Sequence, residues 1–497
     1  MTILTFPQMG SGCILAILAN LVLLCSPGLA ELHYVSNADE IETLLESKGL
    51  VAGDEIVWKD GVVVDQEVNL AGVDGTAQSP ITLRAETPGQ VILHGESQFR
   101  IGVKHWIVQG FHFTGKPGLV NAYNPIQFRN NGGLAAEHCR LTDCALTNLI
   151  TDESTSKWVL LYGRQNTIDH CHFSGKNSKG ALLTVELGYL DTNSTAEHKI
   201  HSNYFGGFQP QPGNDNETIR IGFSGDQNKS AKCIVNRNLF ERCDGESEVI
   251  SNKSSYNTFR SNTFRQCNGA LVLRHGHHAR VEGNFFLGAN AEGTGGIRIS
   301  DSHHVIVNNQ LQDLQGSNWN AAVSILGDSK PSGGSSSGYQ AVNDIVLMHN
   351  TVVNCRQCMF MNPAKGNRAP TGIVANNIFS TRLGPLVSGK LPTTGLDWQT
   401  NIWDGEGVPA SVGQSVSFEM KLIGELYRPN RMRLAELESV ELKDSPVVDM
   451  DGQARPKTGK AIGADEIAVD DSKIGARPLT IRDVGVSYQS LLPSAGP

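Results

Sequence analysis

"NLFERC" (238–243), "NTFRQC" (262–267) and "NFFLG" (284–288) are versions of one small pattern: an asparagine, any residue, then a phenylalanine near the end of an alternating apolar run. Phe240, Phe264, Phe286 and then Leu311 of "NQLQD" (309–313) follow at steps of 24, 22 and 25 residues. The pattern recurs upstream at Phe113, Leu141, Phe173 and Phe205, and downstream at Val352, Phe379 and Trp403, with some steps reaching 41 residues. A period near this length is a solenoid signature. Segments such as "AKCIVNRNLF" (231–240), "ARVEGNFF" (279–286) and "GIVANNIF" (372–379) alternate and carry β-branched residues, which selects strands over helices. Asparagine suits the bends between them because it tolerates left-handed backbone. The expected fold is all-β: a right-handed, single-stranded parallel β-helix, each coil adding strands about 4.8 Å above the last. Longer steps then mark loops inserted at corners.

The ends of the chain fit that fold. In "SNADEIETLLES" (36–47), Asn37 and Glu40 have capping-box spacing, and Ile41, Leu44 and Leu45 share one helical face. A short N-terminal helix there would cap the first coil and hide its open strand edge. "DSKPSGGSSSGYQ" (328–340) reads as a mobile loop. After Trp403 the repeat fades. The expected organisation is a signal peptide over 1–30, a β-helix over 31–403, and an irregular cover of the same domain over 404–497.

The signal peptide rests on an apolar run from Cys13 to Cys25, a Pro-Gly break and the small residue Ala30, although no Lys or Arg precedes the run. The run is shorter than the roughly 20 residues of a membrane span, and no later segment could cross a membrane. The protein is therefore expected to be exported, to the periplasm or beyond. Of the ten cysteines, eight follow the apolar run, and Cys139, Cys171, Cys243, Cys267 and Cys355 fall at matching places in the repeats. Stacked buried thiols are the preferred reading over disulfides or a metal site. The chain of 497 residues has a formal net charge of −9 and no dominant basic tail or stripe, so a nucleic-acid partner is not expected. Between residues 250 and 300, six Lys/Arg face two acids, a local patch able to focus an anionic ligand. Nothing in the sequence specifies an oligomer, and a monomer is the working assumption.

Chemistry concentrates in "CDGESEVISNKS" (243–254). Strand spacing puts Glu246 and Glu248 on one face, where they repel. One coil later, Arg274 lies 21 residues after Lys253, so the two cations can stack. One coil earlier, Asn214 lies 32 residues before Glu246. Two glutamates and an asparagine carbonyl form an all-oxygen set suited to a hard cation such as Ca²⁺, which would remove the repulsion. A solvated ion-pair surface is the plain alternative. Parity opposes the functional reading, since Lys253 is an odd number of residues from Glu248. A bend near Asn252 is required.

"NDNETIRIG" (214–222), "LFERCDGESEVISNKS" (239–254) and "LVLRHG" (271–276) followed by "VEGNFFLG" (281–288) resemble the central motifs of polysaccharide lyase family six, which contains alginate lyases and the dermatan-cleaving chondroitinase B. "GTGGIRISDSHHVIVNN" (293–309) and "RPLTIRDVGVSY" (477–488) are similar to it as well, and "DMDGQARPKTGKAIGADE" (449–466) resembles the closing segment of many secreted β-helix proteins. The resemblance implies calcium-dependent β-elimination, with Asn214, Glu246 and Glu248 on calcium, Lys253 as base and Arg274 as acid. Where members often read Asn-Gly-Gly-Glu, this chain has Asn214-Asp215-Asn216-Glu217, so Asn216 competes with Asn214 as ligand, and Asp215 adds a charge. Because arginine is effectively always protonated, Arg274 suits stabilising the departing oxygen better than donating a proton, which leaves that step to a water or a tyrosine.

Around this set, Arg220 and Arg298 are candidates for sugar carboxylates through bidentate bonds, and His275 either touches substrate or braces the loop. His277 and His278 are expected at a turn, His303 and His304 in the wall. The expected partner is an anionic uronate polysaccharide, alginate first and dermatan sulfate second. A β-helix glycoside hydrolase is a competing class, but it needs carboxylates on opposite sides of the bond, about 5–9 Å apart, and leaves Lys253 without a task. A non-catalytic polysaccharide binder on the same scaffold is the third.

Overall fold

The computed structural model describes residues 30–492, apart from 48, 152–154, 192, 329, 331–337, 363–367, 391–393, 431–438, 459 and 467–476. The expected signal peptide and most of the expected loop at 328–340 lie outside the described residues. Nearly all described regular structure is β, and the chain winds as a right-handed parallel β-helix. Each coil gives one short strand to each of three parallel sheets. Sheet 1 has 14 strands, from Leu32–Val35 to Leu396–Gln399; sheet 2 has 13, from Gly61–Val64 to Ile402–Asp404; sheet 3 has 12, from Glu67–Leu70 to Val387–Gly389.

The repeat pattern is the core. Phe240, Phe264 and Phe286 are directly paired across sheet 2. With Phe173 and Phe205 they form one column of stacked rings, buried inside the coil, at centroid spacings of 5.1, 5.0, 4.7 and 4.5 Å. The asparagine two residues before each ring does something other than adopt the bend. Left-handed backbone falls on the residue preceding it: Ser202, Arg237, Ser261, Gly283, Asn308, His349 and Asn376. The asparagines themselves stack as a ladder. Asn262 Nδ2 donates to Asn284 Oδ1 at 3.0 Å and to Val235 O at 2.9 Å, while its Oδ1 accepts from the backbone and side chain of Asn238. The same contacts repeat from Asn203 to Asn401. Each rung satisfies buried backbone at a corner no sheet can serve.

The first coil is capped as its sequence predicts. Helix Ala38–Glu46 starts at Asn37, whose side chain accepts from Glu40 N–H, while Glu40 accepts from Ser36 N–H. Ile41 packs into the core with Leu44 and Leu45 beside it. The eight described cysteines are all buried free thiols.

Described parts of the C-terminal segment retrace the outer face of sheet 2 toward the N-terminus. Phe418, Ala461 and Ile462 pack on Ile378 and Ile402; Leu426, Met450 and Ala464 on Phe285 and Leu287. Leu479 and Val484 follow on Tyr204 and Leu239, then Val486 and Tyr488 on Ala145. Tyr488 donates its hydroxyl to Phe111 O, and its ring fills the space above Gly89, where any Cβ would collide with it.

Candidate active site

Sheet 3 carries the site on strands Ile219–Ile221, Glu248–Lys253, Ala270–His275 and Ile297–Ile299, which are consecutive neighbours. The parity problem is solved at Val249, not near Asn252. Val249 and Ile250 are consecutive, and both are in the core. The ladder slips there, Glu248 facing Ala270 and Ile250 facing Leu271. It slips back at Asn252/Lys253, where Lys253 pairs with His275 and Arg274, on the neighbouring strand, is the extra residue. The bulge at Val249 replaces the expected bend near Asn252, because ordinary alternation from Ile250 onward already turns Lys253 outward. It leaves Glu248, Ser251 and Lys253 on the outer side, with Ser251 Oγ donating to Glu248 Oε2 at 2.5 Å.

These side chains line a cleft of about 470 Å³. Its acidic end holds Asn214, Glu217, Glu246 and Glu248; its cationic end holds Lys253, Arg274 and Arg298; Trp319 and Tyr339 form a wall. Gly245 lets the preceding coil approach, because a Cβ there would sit 2.3 Å from Asn216 O. Burial, then Glu217 and Glu248, push the Glu246 carboxyl up to about 8. Burial also raises Glu217, which is 1 % exposed. Glu217 Oε1 accepts from Lys253 Nζ at 3.3 Å, and its Oε2 is buried with no hydrogen-bond partner, 3.7 Å from Arg220 Nη1. Crowded carboxyls and an orphaned oxygen are groups that a hard cation would satisfy.

The sequence-predicted residues do not all reach the cleft. Asn214 lines it, whereas Asn216 is fully buried and committed at both ends, accepting from Gly180 N–H and donating to Gly213 O. Asp215 pairs with Arg220 at 2.8 Å. Arg220, 2 % exposed, lies behind the acidic end and faces those carboxylates. Arg298 is also 2 % exposed but reaches the cleft, where it meets Glu248 at 3.4 Å and donates to Trp319 O and Asn320 Oδ1. Arg274 lies 4.1 Å from the Tyr339 ring and donates to Gly338 O. His275 is fully buried, its Nδ1 2.9 Å from Gln340 Oε1, so it braces the wall and does not touch the groove.

Three cleft residues escaped the sequence reading. Glu217 had a signal: the coil step of 31 residues that aligns Ile219 with Ile250 sets Glu217 beside Glu248. Trp319 and Tyr339 sit on corner insertions, which carry no period. Elsewhere, Asp449, Asp451 and Asp465 bring oxygens within 4.8 Å of one another, the one such acidic group found among the described residues. Arg428 neutralises it through Asp451 and Asp465, and it belongs to the C-terminal cover, not the cleft. Among the described residues no helix is long and apolar enough to cross a membrane.

The family model described as chondroitinase B matches residues 35–378. The chain is similar in structure to the PL6 family alginate lyase AlyGC, with 28 % identity and a TM-score of 0.75, over 94 % of this chain and 59 % of that one. It is also similar to a mannuronic acid specific family 6 lyase from human gut microbiota, at 27 % identity and TM-score 0.68, over 78 % of this chain and 92 % of that one. A third is the PL6 polysaccharide lyase Pedsa3628 from Pseudopedobacter saltans, at 25 % identity and TM-score 0.60, over 79 % and 97 %. The chain thus spans 59 % of the length of AlyGC. No curated protein matches it. Strand order, cleft and match agree, and the chain belongs to the chondroitinase B family, within polysaccharide lyase family six.

Proposed function

We propose that this protein is an exported lyase that cleaves alginate by cation-assisted β-elimination. The observation that carries the reading is the pairing, in one cleft, of a crowded acidic end with Lys253 and Arg274. A uronate presents a carboxylate beside the C5 proton that must leave. Asn214, Glu246 and Glu248 would hold Ca²⁺, with Glu217 adjoining, and the ion would supply charge neutralisation of the substrate carboxylate and of the carbanion beside it. Lys253, oriented by Glu217, takes the C5 proton. The C4–O4 bond then breaks, and Arg274 stabilises charge on the departing oxygen. Arg298, held by Glu248, Asn320 and the Trp319 carbonyl, is preset to meet a second carboxylate. A hydrolase would leave Lys253 idle. Alginate is preferred because AlyGC is an alginate lyase and the gut enzyme is mannuronic acid specific. Dermatan sulfate is the second reading, favoured by the description of the family model. The apolar run over 13–25 supports export.

The test is ultraviolet absorbance of alginate and of dermatan sulfate incubated with the protein, with and without a chelator. New absorbance from a C4–C5 double bond, lost on chelation and restored by Ca²⁺, is expected with alginate. Reducing ends without that absorbance would mean hydrolysis.

A further inference from the structure

The row of sheet 3 that carries Lys253 does not stop at the cleft. Asn252 pairs with Ile221, Ile221 with Val185 and Val185 with Leu161, so the next residue of each strand continues one line: Lys253, Gly222, Glu186 and Tyr162. Phe128 N–H donates to Leu160 O, which carries the line on to Arg129. At about 4.8 Å per coil, Tyr162 lies about 14 Å from Lys253, and Arg129 about 19 Å. Gly222 leaves the line without a side chain next to Lys253, and the ring of Phe223, 37 % exposed, stands beside the gap.

The cations of this stretch differ from those of the cleft. Arg220, Lys253 and Arg298 are each paired to a carboxylate. The Arg129 guanidinium instead lies over the Tyr162 ring at 4.2 Å, and Lys157 Nζ is 5.8 Å from the Phe223 ring, which Arg220 also approaches at 4.3 Å. Among the described residues neither Arg129 nor Lys157 forms an ion pair. A guanidinium fixed on an aromatic face has its conformation set in advance while its edge donors stay available for a planar anion. Glu186, half-buried between Tyr162 and Gly222, is the one acid of the line, and Arg129, Lys157 and Arg220 are all close enough to act on it. The stretch as a whole is cationic and ring-lined.

We propose that Arg129, Tyr162, Lys157 and Phe223 form a distal binding stretch for further residues of the same anionic polysaccharide, three to four coils from the bond that breaks. The inference rests on the uronate reading of the cleft. Rings meet sugar faces, and the unpaired cations meet carboxylates. One coil rise is close to the length of one sugar unit, so a chain lying along the row can meet a new coil with each residue. The enzyme should therefore favour long chains.

The experiment measures, by calorimetry, binding of oligomannuronates and oligoguluronates of two to eight residues to full-length Lys253→Ala protein. Affinity is expected to keep rising until the chain holds about five or six residues, the span set by the coil rise. Adding Arg129→Ala with Tyr162→Ala should weaken hexasaccharide binding about tenfold, as loss of two such contacts allows. The gain from lengthening the chain should then disappear. Lys157→Ala should show the same loss in smaller degree, and Tyr162→Phe, which keeps the ring, should restore most of it. Melting curves superposable on the parent confirm that the variants fold. An unchanged length dependence in the double variant, or none in the parent, overturns the proposal. The elimination assay on the unmodified protein separates the two failures. Elimination with unaltered length dependence removes only the distal stretch, whereas no elimination from any uronate polymer removes the reading of the cleft and this inference with it.

Discussion

At the scale of single residues, the cleft concentrates like charges, and each resolves differently. Lys253 has Glu217 as its acceptor, Arg298 has Glu248, and Glu246 accepts a 3.4 Å bond from Asn216 N–H beside the other two carboxylates. Removing the base by Lys253→Ala should lower kcat on alginate by about 10²–10⁴-fold, with melting unchanged; retained turnover would dismiss Lys253 from that role. Glu246→Gln should behave in the opposite sense. A carboxyl held up to about 8 is largely protonated at neutral pH, and glutamine imitates that form. The variant should melt at or above the parent temperature in chelator but gain less from added Ca²⁺, read as a difference in melting shift. An equal calcium shift in both proteins would place the ion elsewhere. Glu246, Glu248 and Lys253 were legible because they share a short motif, and Arg274 because it lies one coil further on. Glu217 was not, because a buried glutamate at the head of a core strand carries no local mark.

At the scale of elements, the ladder shows what period reading can and cannot recover. Phenylalanine spacing gave the coil, and asparagine spacing gave the corner. Asparagine does take left-handed backbone at bends, as at Asn308, Asn354 and Asn376, but the ladder asparagines are selected by amide-to-backbone bonding instead. Asn262→Ala removes a rung, which takes from Asn238 N–H its side-chain acceptor and from Val235 O its amide donor, and leaves Asn284 Oδ1 with the backbone N–H of residue 262 alone. That should destabilise the protein by about 2–4 kcal/mol, seen as a lower urea midpoint; an unchanged midpoint would mean that water replaces the amide. The bulge at Val249 was invisible for a related reason. Two adjacent apolar residues are compatible with either register, and only the neighbouring coil decides which faces inward. Trp319 and Tyr339 lay beyond reach because corner insertions obey no period at all.

At the scale of the whole molecule, the coil buries many histidines without charge. Burial holds His112 and His172 down at about 4, and His198, His304 and His349 at about 3. Unfolded, each would titrate near its ordinary value of about 6.5. Folded values lie below unfolded ones, so the unfolded chain binds more protons as pH falls. Stability is therefore full above about pH 6.5 and declines between there and about pH 3, by about 1.4 kcal/mol per unit for each histidine. Melting temperature should drop steeply from pH 6 to pH 4 in low-salt buffer. A flat profile over that interval would contradict the burial of these rings.

The returning C-terminal segment gives this one-dimensional stack a direction in time. Tyr488 is delivered by a ribosome long after its seat at Phe111 and Gly89 has been made. Until it arrives, Ala145, Tyr204, Leu239 and Phe285 stay bare on the outer face of sheet 2. Coils can propagate from neighbour to neighbour as they emerge, but the early ones are finished only when this later segment folds back on them. A message truncated before the segment would yield every coil and still leave them unsealed.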